Sequence, residues 1–315
     1  MNTRSPYRSS AILLLLPFFI ILLLLWLVPL SSSIYASFQG DSIISVDPPH
    51  ESVGLSLDNY QYLLSDSRFH RALANTFIYA ISLILLVVPG AFILAHLLMI
   101  VNKQVRPFFS FGLLIPSITP PIVLGILFLL VFHGRDGILN QFVAGPLLAF
   151  LKQTGGESAA SLPDTINWLK DPHFILPALI IQGVWRWLGL ITLFFLCGLE
   201  SMPTHLDDAA EAEGASLLQH LWHVTIPSLK HIIIFSAIYL AVDACVTFAG
   251  AYTLLGNSGG TNDAGLLIVS YSHQTASIFQ KPNLSTAISL AIIPFIIIAV
   301  SVLITVYRRN RRGEQ

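Results

Sequence analysis

The segment DAAEAEGASLLQHLWHVTIP occupies residues 208–227 of the chain. It is acidic at its start, is interrupted by Gly214, and lies between two strongly apolar runs. A charged, glycine-interrupted segment between two membrane-length runs must lie outside the lipid, because ionised side chains are costly there. The segment is therefore expected to be a docking element for another protein. The alternative is an ordinary loop that carries a surface amphipathic helix.

The composition of the whole chain is that of a membrane protein. Of its 315 residues, 54% are hydrophobic and 10% are charged, and the mean hydropathy is +0.73. Soluble domains carry about 25% charged residues. The net charge of −1 offers nothing to a nucleic acid, so no nucleic-acid partner is expected. Cys197 and Cys245 each lie inside an apolar run, which favours buried thiols over a disulfide or a metal site.

Six stretches are long and apolar enough to cross a bilayer, which takes about 20 residues. They are residues 11–38, 72–99, 108–132, 174–199, 231–255 and 284–307. Each is expected to be a helix, because backbone polar groups in lipid must be satisfied within the segment. The first could be a cleaved signal peptide, since Arg4 and Arg8 precede it. Its apolar core is longer than the usual roughly 7–15 residues, which favours an uncleaved helix.

The distribution of Lys and Arg predicts the orientation. With the N-terminus inside, the cytoplasmic side receives nine Lys and Arg residues, including the cluster RRNRR at 308–312, and the outside receives six in longer loops. This bias places both termini in the cytoplasm. The predicted organisation is an N-terminal transmembrane helix and external loop (1–70), a transmembrane domain (71–307) and a basic cytoplasmic tail (308–315).

The segment 200–230 contains signals for two short helices. Thr204 is expected to cap the first helix, with Asp207 three residues later as an approximate capping box. Gly214 is expected to end or kink that helix, a second short helix is expected over 215–223, and Pro227 is expected to mark the start of the fifth span. Small side chains along the first helix would let a partner surface approach closely.

This segment resembles the "EAA" loop of binding-protein-dependent ABC permeases, which reads roughly Glu-Ala-Ala, three residues, Gly-Ala, and an ending with Ile and Pro. The matching residues are Asp208-Ala209-Ala210, Gly214-Ala215 and Ile226-Pro227. Asp208 stands where Glu is usual and Glu213 where Asp is usual, so both positions keep their charge.

Two further stretches resemble the carbohydrate branch of this family, which includes maltose, lactose and glycerol-phosphate permeases. They are LDNYQYLLSDSRFHRALANTFIYA at 57–80 and INWLKDPHFILPALIIQGVWRWLGLITLFFLCGLESMP at 166–203. The likeness extends over roughly residues 10–310. The sequence GNSGGTND at 256–263 departs from the family, because it lacks the proline of the turn that often follows the fifth helix.

The resemblance implies an all-α, six-span type I ABC importer permease in the bacterial inner membrane, carrying a sugar. It implies a cytoplasmic ABC ATPase, a second permease that is a paralogue, and an external solute-binding protein as partners. The chain has no nucleotide-binding motif, so ATP would be bound by the ATPase, and no cofactor is expected on this chain. The residues implied for ATPase docking are Asp208, Ala209, Ala210, Glu213, Gly214, Ala215 and Pro227.

Polar residues deep in two spans are candidates for a solute pathway. Arg186 and Asp243 lie near the middle of spans four and five, where a lone charge costs about 2.5–3.5 kcal/mol. Helical spacing puts Tyr239, Asp243 and Thr247 on one face, and Gln182 and Arg186 on one face of span four. The alternative is a structural ion pair or interhelical hydrogen bonds. Asn75, Tyr79 and Ser82 on span two are weaker candidates.

Other functions remain open at this point. A permease of the same fold could carry a polyamine or a phosphorylated polyol, which would require several matching charges. A secondary transporter would need no ATPase, and such proteins commonly contain internal repeats and broken helices. A membrane enzyme would need convergent acids or a metal motif. The chain contains no HExxH, GxSxG or Cys/His metal spacing, so no catalytic or metal-binding residue is expected.

Overall fold

The computed structural model describes residues 7–40, 54–134, 136–155 and 163–313. Within these ranges the chain consists of helices and connecting loops and contains no β-strand. The predicted all-α class is therefore confirmed for the described part of the chain.

The helices are labelled here in chain order. They are α1 (Tyr7–Leu22), α2 (Val28–Ser37), α3 (Asp58–Ser65), α4 (Ser67–Ile100), α5 (Arg106–Ile118), α6 (Pro121–Val131), α7 (Gly145–Thr154), α8 (Pro172–Glu200), α9 (Thr204–Ala212), α10 (Leu217–His220), α11 (Ile226–Val246), α12 (Ala249–Leu255), α13 (Ile268–Ser277), α14 (Pro282–Leu290) and α15 (Ile293–Gly313). In the described ranges, π-helical turns at Leu23–Leu27, Asn140–Ala144 and Leu221–Thr225 join or precede some of these helices.

Five helical stretches in the described residues are long and apolar enough to cross a membrane. They are Leu14–Ser37, Ser67–Ile100, Pro172–Glu200, Leu217–Val246 and Pro282–Val302. They coincide with five of the six predicted spans, and the chain is a multi-pass membrane protein. The side of the membrane on which each end lies stays a prediction.

The third predicted span, 108–132, is not one straight helix. It consists of α5 and α6, which meet at an angle of 97°. Thr119 is extended (ψ 131°) and so is Pro120 (ψ 135°). The cause is the pair Pro120-Pro121: each proline disfavours helical geometry in the residue before it and has no N–H to donate.

The fifth predicted span also differs from the prediction, at both ends. Its helix is continuous from Leu217 through a π-helical turn to Val246, so the separate helix predicted at 215–223 is wrong. The π-helical turn ends at Thr225, two residues before Pro227, whose missing N–H removes one intrahelical hydrogen bond. At the other end, Thr247 is extended and Phe248 has φ −139° and ψ −63°, which breaks the span before α12.

The chain divides into two compact units. The first contains residues up to Asp66 together with Ser272–Ala291. In it, Asn59 Nδ2 donates hydrogen bonds to the backbone oxygens of Ser37 (2.9 Å) and Gln39 (2.8 Å), and the hydroxyl of Ser272 bonds to that of Ser285 at 2.9 Å. These bonds fasten α3 to the end of α2 and α13 to α14.

The second unit contains Ser67–Tyr271 and the residues from Ile292 onward. Its core is the packing of α4 against α8. Leu83, Val87, Ala91 and Ala95 recur every four residues on α4, and all are fully buried. They form one continuous stripe, as helical spacing requires. Of the two cysteines, Cys245 is buried as predicted, whereas Cys197 is exposed on the outer surface of α8.

Glycines permit close approach of the helices in this unit. A Cβ built on Gly189 of α8 would collide with the backbone oxygen of Leu113 on α5, whereas a Cβ on Gly112 would meet no atom within 4 Å. Small residues at such crossings let membrane helices pack closely. The two glycines therefore form a matched pair for testing the α5–α8 contact.

We predict that Gly189→Ala destabilises the purified transporter by about 1–3 kcal/mol, because the added methyl overpacks the α5–α8 contact. Gly112→Ala should be neutral or slightly stabilising, since alanine favours a helix over glycine by about 1 kcal/mol. Thermal unfolding in detergent measures both effects. Equal midpoints for the two variants would contradict the close crossing of α5 and α8.

Candidate functional site

A polar cavity of about 280 Å³ lies among α4, α6, α8 and the end of α11. Both helix breaks contribute to its wall: Pro121 follows the first, and Thr247 and Phe248 form the second. Broken helices expose backbone groups, which in a membrane protein is tolerated only inside protein or beside a water-filled cavity. The cavity therefore provides a setting in which both helix breaks are tolerated.

Four of the five predicted pathway residues line this cavity. Gln182 and Arg186 come from α8, Asp243 comes from α11, and Thr247 follows it. Tyr239 is not among the lining residues. It is half-buried one turn before Asp243, and its ring packs edge-on against Trp187 at a centroid distance of 5.1 Å.

Trp187 organises the charged groups of the cavity. Its indole Nε1 donates a 2.7 Å hydrogen bond to Oδ2 of Asp243, and the Arg186 Cζ lies 4.5 Å from the centroid of its ring. A hydrogen bond to a carboxylate is stronger than one between neutral groups, and an arginine over an indole is a favourable cation–π contact. Trp187 therefore links α8 to α11 and holds the Arg186 guanidinium.

Arg186 and Asp243 do not form an ion pair. None of the contacts of 4.0 Å or less between a basic nitrogen and a carboxylate oxygen that the described residues show joins these two side chains. The sequence leaves open a structural role for these residues, as an ion pair or through interhelical hydrogen bonds. The structure contains an interhelical hydrogen bond, from Trp187 to Asp243, and no direct Arg186–Asp243 pair. Both charged side chains still face the cavity.

Two hydrogen-bond donors in the wall lack an acceptor. The Nε of Arg186 and the Nε2 of Gln182 are buried and have no hydrogen-bond partner within the described residues. A buried donor without an acceptor costs about 1–3 kcal/mol, so most such groups in folded proteins are satisfied by protein, water or ligand. Both atoms belong to residues that line the cavity, where an oxygen-rich molecule could accept from them after a side-chain adjustment.

The sequence gives only weak evidence, or none, for some residues of the cavity wall. Tyr79 was a weak candidate, yet it is buried in the wall, and its hydroxyl packs where a Cβ of Gly183 would be. The only sequence signal for this contact is the small residue next to Gln182. Asn75, another weak candidate, instead donates to the backbone oxygens of Asp263 and Leu266, both at 3.1 Å.

The polar segment between α8 and α11 contains the glycine turn that the sequence predicts. Helix α9 ends at Ala212, and Gly214 has φ +71°. The N–H of Ala215 bonds to the oxygen of Ala210, and that of Gly214 to the oxygen of Glu211, both at 3.0 Å. This is a Schellman motif, in which glycine is preferred at the left-handed position.

The predicted cap of α9 is wrong in position. Pro203 is the N-cap of α9, and Thr204 is already its first helical residue. The side chains of Thr204 and Asp207 lie outside the described atoms. The capping box of this segment instead joins Ser216 and Gln219 at the start of α10. Proline suits the position because an N-cap residue is extended and needs no helical N–H.

A groove of about 460 Å³ lies at this turn. Ala209, Ala210, Glu213, Gly214 and Ala215, which are five of the seven predicted docking residues, line it. Asp208 and Pro227 are exposed and are not among its lining residues. Large apolar side chains stand beside the groove with high exposure: Leu217 (91%), Leu218 (69%) and Trp222 (64%).

Residues 87–312 match the family described as "Binding-protein-dependent transport system inner membrane component". The chain belongs to this family. The matched range contains α8, the polar segment between α8 and α11, both helix breaks and nearly all of the cavity wall.

Curated relatives are similar over most of their length. The chain is 28% identical to the arabinooligosaccharides transport system permease protein AraP of Bacillus subtilis, over 92% of this chain and 85% of the relative. It is 28% identical to the sulfoquinovosyl glycerol transport system permease protein SmoG of Agrobacterium fabrum, over 98% and 92%. It is 26% identical to the lactose transport system permease protein LacF of Rhizobium radiobacter, over 81% and 80%.

The fold is also similar to that of a chain in the crystal structure of a bacterial ABC transporter that imports the acidic polysaccharide alginate. The TM-score is 0.73, the identity is 18%, and the match covers 97% of this chain and 96% of that chain. At this identity the likeness establishes the fold alone. The resemblance to ABC permeases stated from the sequence is confirmed by the family and the fold together.

We predict that Trp187→Phe lowers the stability of the transporter by about 1.5–3 kcal/mol, because Asp243 loses its charge-assisted donor while the ring remains. The control is Trp185→Phe, a neighbouring change in a residue that is 40% exposed. The measurement is the thermal midpoint of the purified transporter in detergent. Equal midpoints for the two variants would show that the indole N–H contributes nothing.

Proposed function

We propose that this chain is a permease subunit of an ABC importer in the bacterial inner membrane and forms half of the translocation pathway for a sugar. The observation that carries the proposal is the polar cavity bordered by two helix breaks, in a chain of the binding-protein-dependent transport family. The relatives named for arabinooligosaccharides, lactose and sulfoquinovosyl glycerol support a sugar as the solute.

The chemistry of the cavity wall supports this solute class. Sugars carry many hydroxyls, which both donate and accept hydrogen bonds, and their ring faces are apolar. Gln182 and Arg186 supply donors, Asp243 supplies an acceptor, and Phe248 adds an aromatic surface. Binding sites of this kind combine apolar or aromatic walls with a few placed polar groups.

Solutes with a large fixed charge fit less well. A polyamine would need several carboxylates, and a phosphorylated polyol would need several cations. In the described residues the cavity wall holds one acid, Asp243, and one base, Arg186. These two alternatives from the sequence are therefore less favoured than an uncharged sugar.

We further propose that a cytoplasmic ABC ATPase docks on the segment from α9 to α10 and binds the ATP. The support is the groove lined by small residues beside the exposed Leu217, Leu218 and Trp222. These three residues lie at the N-terminal end of the Leu217–Val246 helix, next to the polar segment, and a contiguous exposed apolar patch usually marks an interaction site. An external solute-binding protein and a second permease, a paralogue of this chain, complete the proposed importer.

Transport then follows from coupled equilibria. Closure of the ATPase on ATP would move the docking segment, and the spans would alternate between outward and inward openings. A ligand shifts a conformational equilibrium only by its difference in affinity for the two states. ATP and the loaded binding protein must therefore each favour a particular state.

A secondary transporter is the rival that the helix breaks favour, because such proteins often have broken helices near their substrate site. The family match is the observation against it. The two classes differ in their energy source, so nucleotide dependence of uptake separates them.

We predict that Gly214→Val reduces uptake by at least about tenfold in vesicles loaded with ATP. Val at φ +71° is strained by roughly 1–2 kcal/mol, and its side chain would enter the surface offered to the ATPase. Gly214→Asn should retain more uptake, because Asn tolerates this conformation. The vesicles contain the full importer, and each variant is checked for its amount in the membrane.

Asp208→Lys should reduce uptake in the same assay, because it reverses a charge on the exposed docking surface, and Asp164→Lys is its control. Asp164 is exposed, and the sequence places its loop outside the cell. Wild-type uptake by both Gly214→Val and Asp208→Lys would contradict the docking role. Uptake without nucleotide would favour a secondary transporter.

A further inference from the structure

The cavity wall is charge-balanced. In the described residues that line it, Arg186 and Asp243 are the only formally charged side chains, and they have opposite signs. They are not joined by an ion pair within 4.0 Å, so neither charge is quenched by direct contact with the other.

The two charges are not equally available to a solute. Asp243 Oδ2 already accepts the Trp187 indole N–H at 2.7 Å. The Arg186 guanidinium stacks on the same indole, yet its Nε has no acceptor, and neither has Nε2 of Gln182 one turn away. The residues of the wall therefore contain two donors without an acceptor, while the formal charge of the wall sums to zero.

We propose that this cavity selects an uncharged polyhydroxylated sugar and rejects an acidic one, and that Asp243 is the residue that determines this specificity. The inference rests on the proposed function of the cavity as a sugar pathway. Hydroxyl oxygens of a neutral sugar accept the free donors of Gln182 and Arg186, which satisfies both without adding charge.

An acidic sugar would also satisfy the donors, but it would place a second negative charge beside Asp243. The repulsion between two unit charges in a partly desolvated protein site is about fourfold larger than in water at the same distance. Arg186 offsets one negative charge and not two. A cationic solute would be repelled by Arg186 in the same way. An uncharged sugar is therefore the solute that neither residue repels.

Substitution of Asp243 should change the selectivity of the cavity and leave its shape intact. Asp243→Asn keeps an oxygen that accepts the Trp187 indole N–H, and it leaves Arg186 as an uncompensated positive charge in the wall. Asp243→Glu keeps the negative charge. Adding Arg186→Gln to Asp243→Asn returns the wall to zero formal charge.

The experiment measures equilibrium binding to the purified importer complex in nanodiscs, without the solute-binding protein, whose own selectivity would otherwise intervene. The probes are radiolabelled disaccharides of galactose, glucose and mannose, together with the matching diuronates, in which a carboxylate replaces the C6 hydroxymethyl group. The ratio of neutral to acidic affinity is compared among the wild type and the variants.

The wild type and Asp243→Glu should bind the best neutral sugar at least about tenfold more tightly than its diuronate. Asp243→Asn should lower that ratio by at least about tenfold, and the double variant should restore it. Asp164→Asn, which removes a negative charge from a side chain that is 95% exposed and outside the cavity wall, should leave the ratio unchanged.

Two results would overturn the inference while leaving the sugar pathway in place. One is equal affinity of the wild type for neutral and acidic sugars, and the other is an unchanged ratio in Asp243→Asn. If no sugar of either class binds to any form, the proposed sugar function fails, and this inference fails with it.

Discussion

The structure depends on one constraint: every backbone hydrogen-bonding group inside a membrane must be satisfied by the protein or by water. Most of the chain meets it with continuous helices. The exceptions are the break at Thr119–Pro121 and the break at Thr247–Phe248, and both border the same cavity. The helices that follow the breaks, α6 and α12, pack together, with Thr253 of α12 where a Cβ of Gly125 would lie. Two interrupted spans thus combine into the wall of one cavity.

The cavity in turn explains how the chain tolerates ionised residues in its spans. A lone arginine or aspartate facing lipid is costly, and such residues in membrane proteins face a wet interior or a partner. Here one tryptophan serves both charges, through its N–H to Asp243 and its ring face to Arg186. The same contact ties α8 to α11. Because α8 continues to Glu200 and α9 begins at Thr204, the cavity wall and the segment proposed for ATPase docking are close together in the chain.

The features that the sequence predicts well are those with a local cause. Span lengths follow from hydropathy, and Gly214 ends α9 because only a residue that accepts positive φ suits that turn. The proline pair at 120–121 likewise carries a local signal for a kink, although not for its angle of 97°. The other break could not be foreseen, because Thr247 and Phe248 are neither glycine nor proline. Helical spacing also does not reveal that Trp187 faces Asp243, which is 56 residues away in the chain. Periodicity shows which residues share one face of a helix, but not which other helix packs against that face.

The most direct test of the account is the access of water to the helix breaks. In an importer whose Cys197 and Cys245 are replaced by Ser and Ala, Thr247→Cys and Gln182→Cys would be treated with a small charged thiol reagent. Ile126→Cys serves as the control, because Ile126 lies beyond the first break, is 54% exposed and is absent from the cavity wall. The account predicts rapid modification at 247 and 182 in at least one nucleotide state and little at 126. Protection of all three positions in every state, or equal rates at all three, would contradict a water-filled cavity between the two breaks.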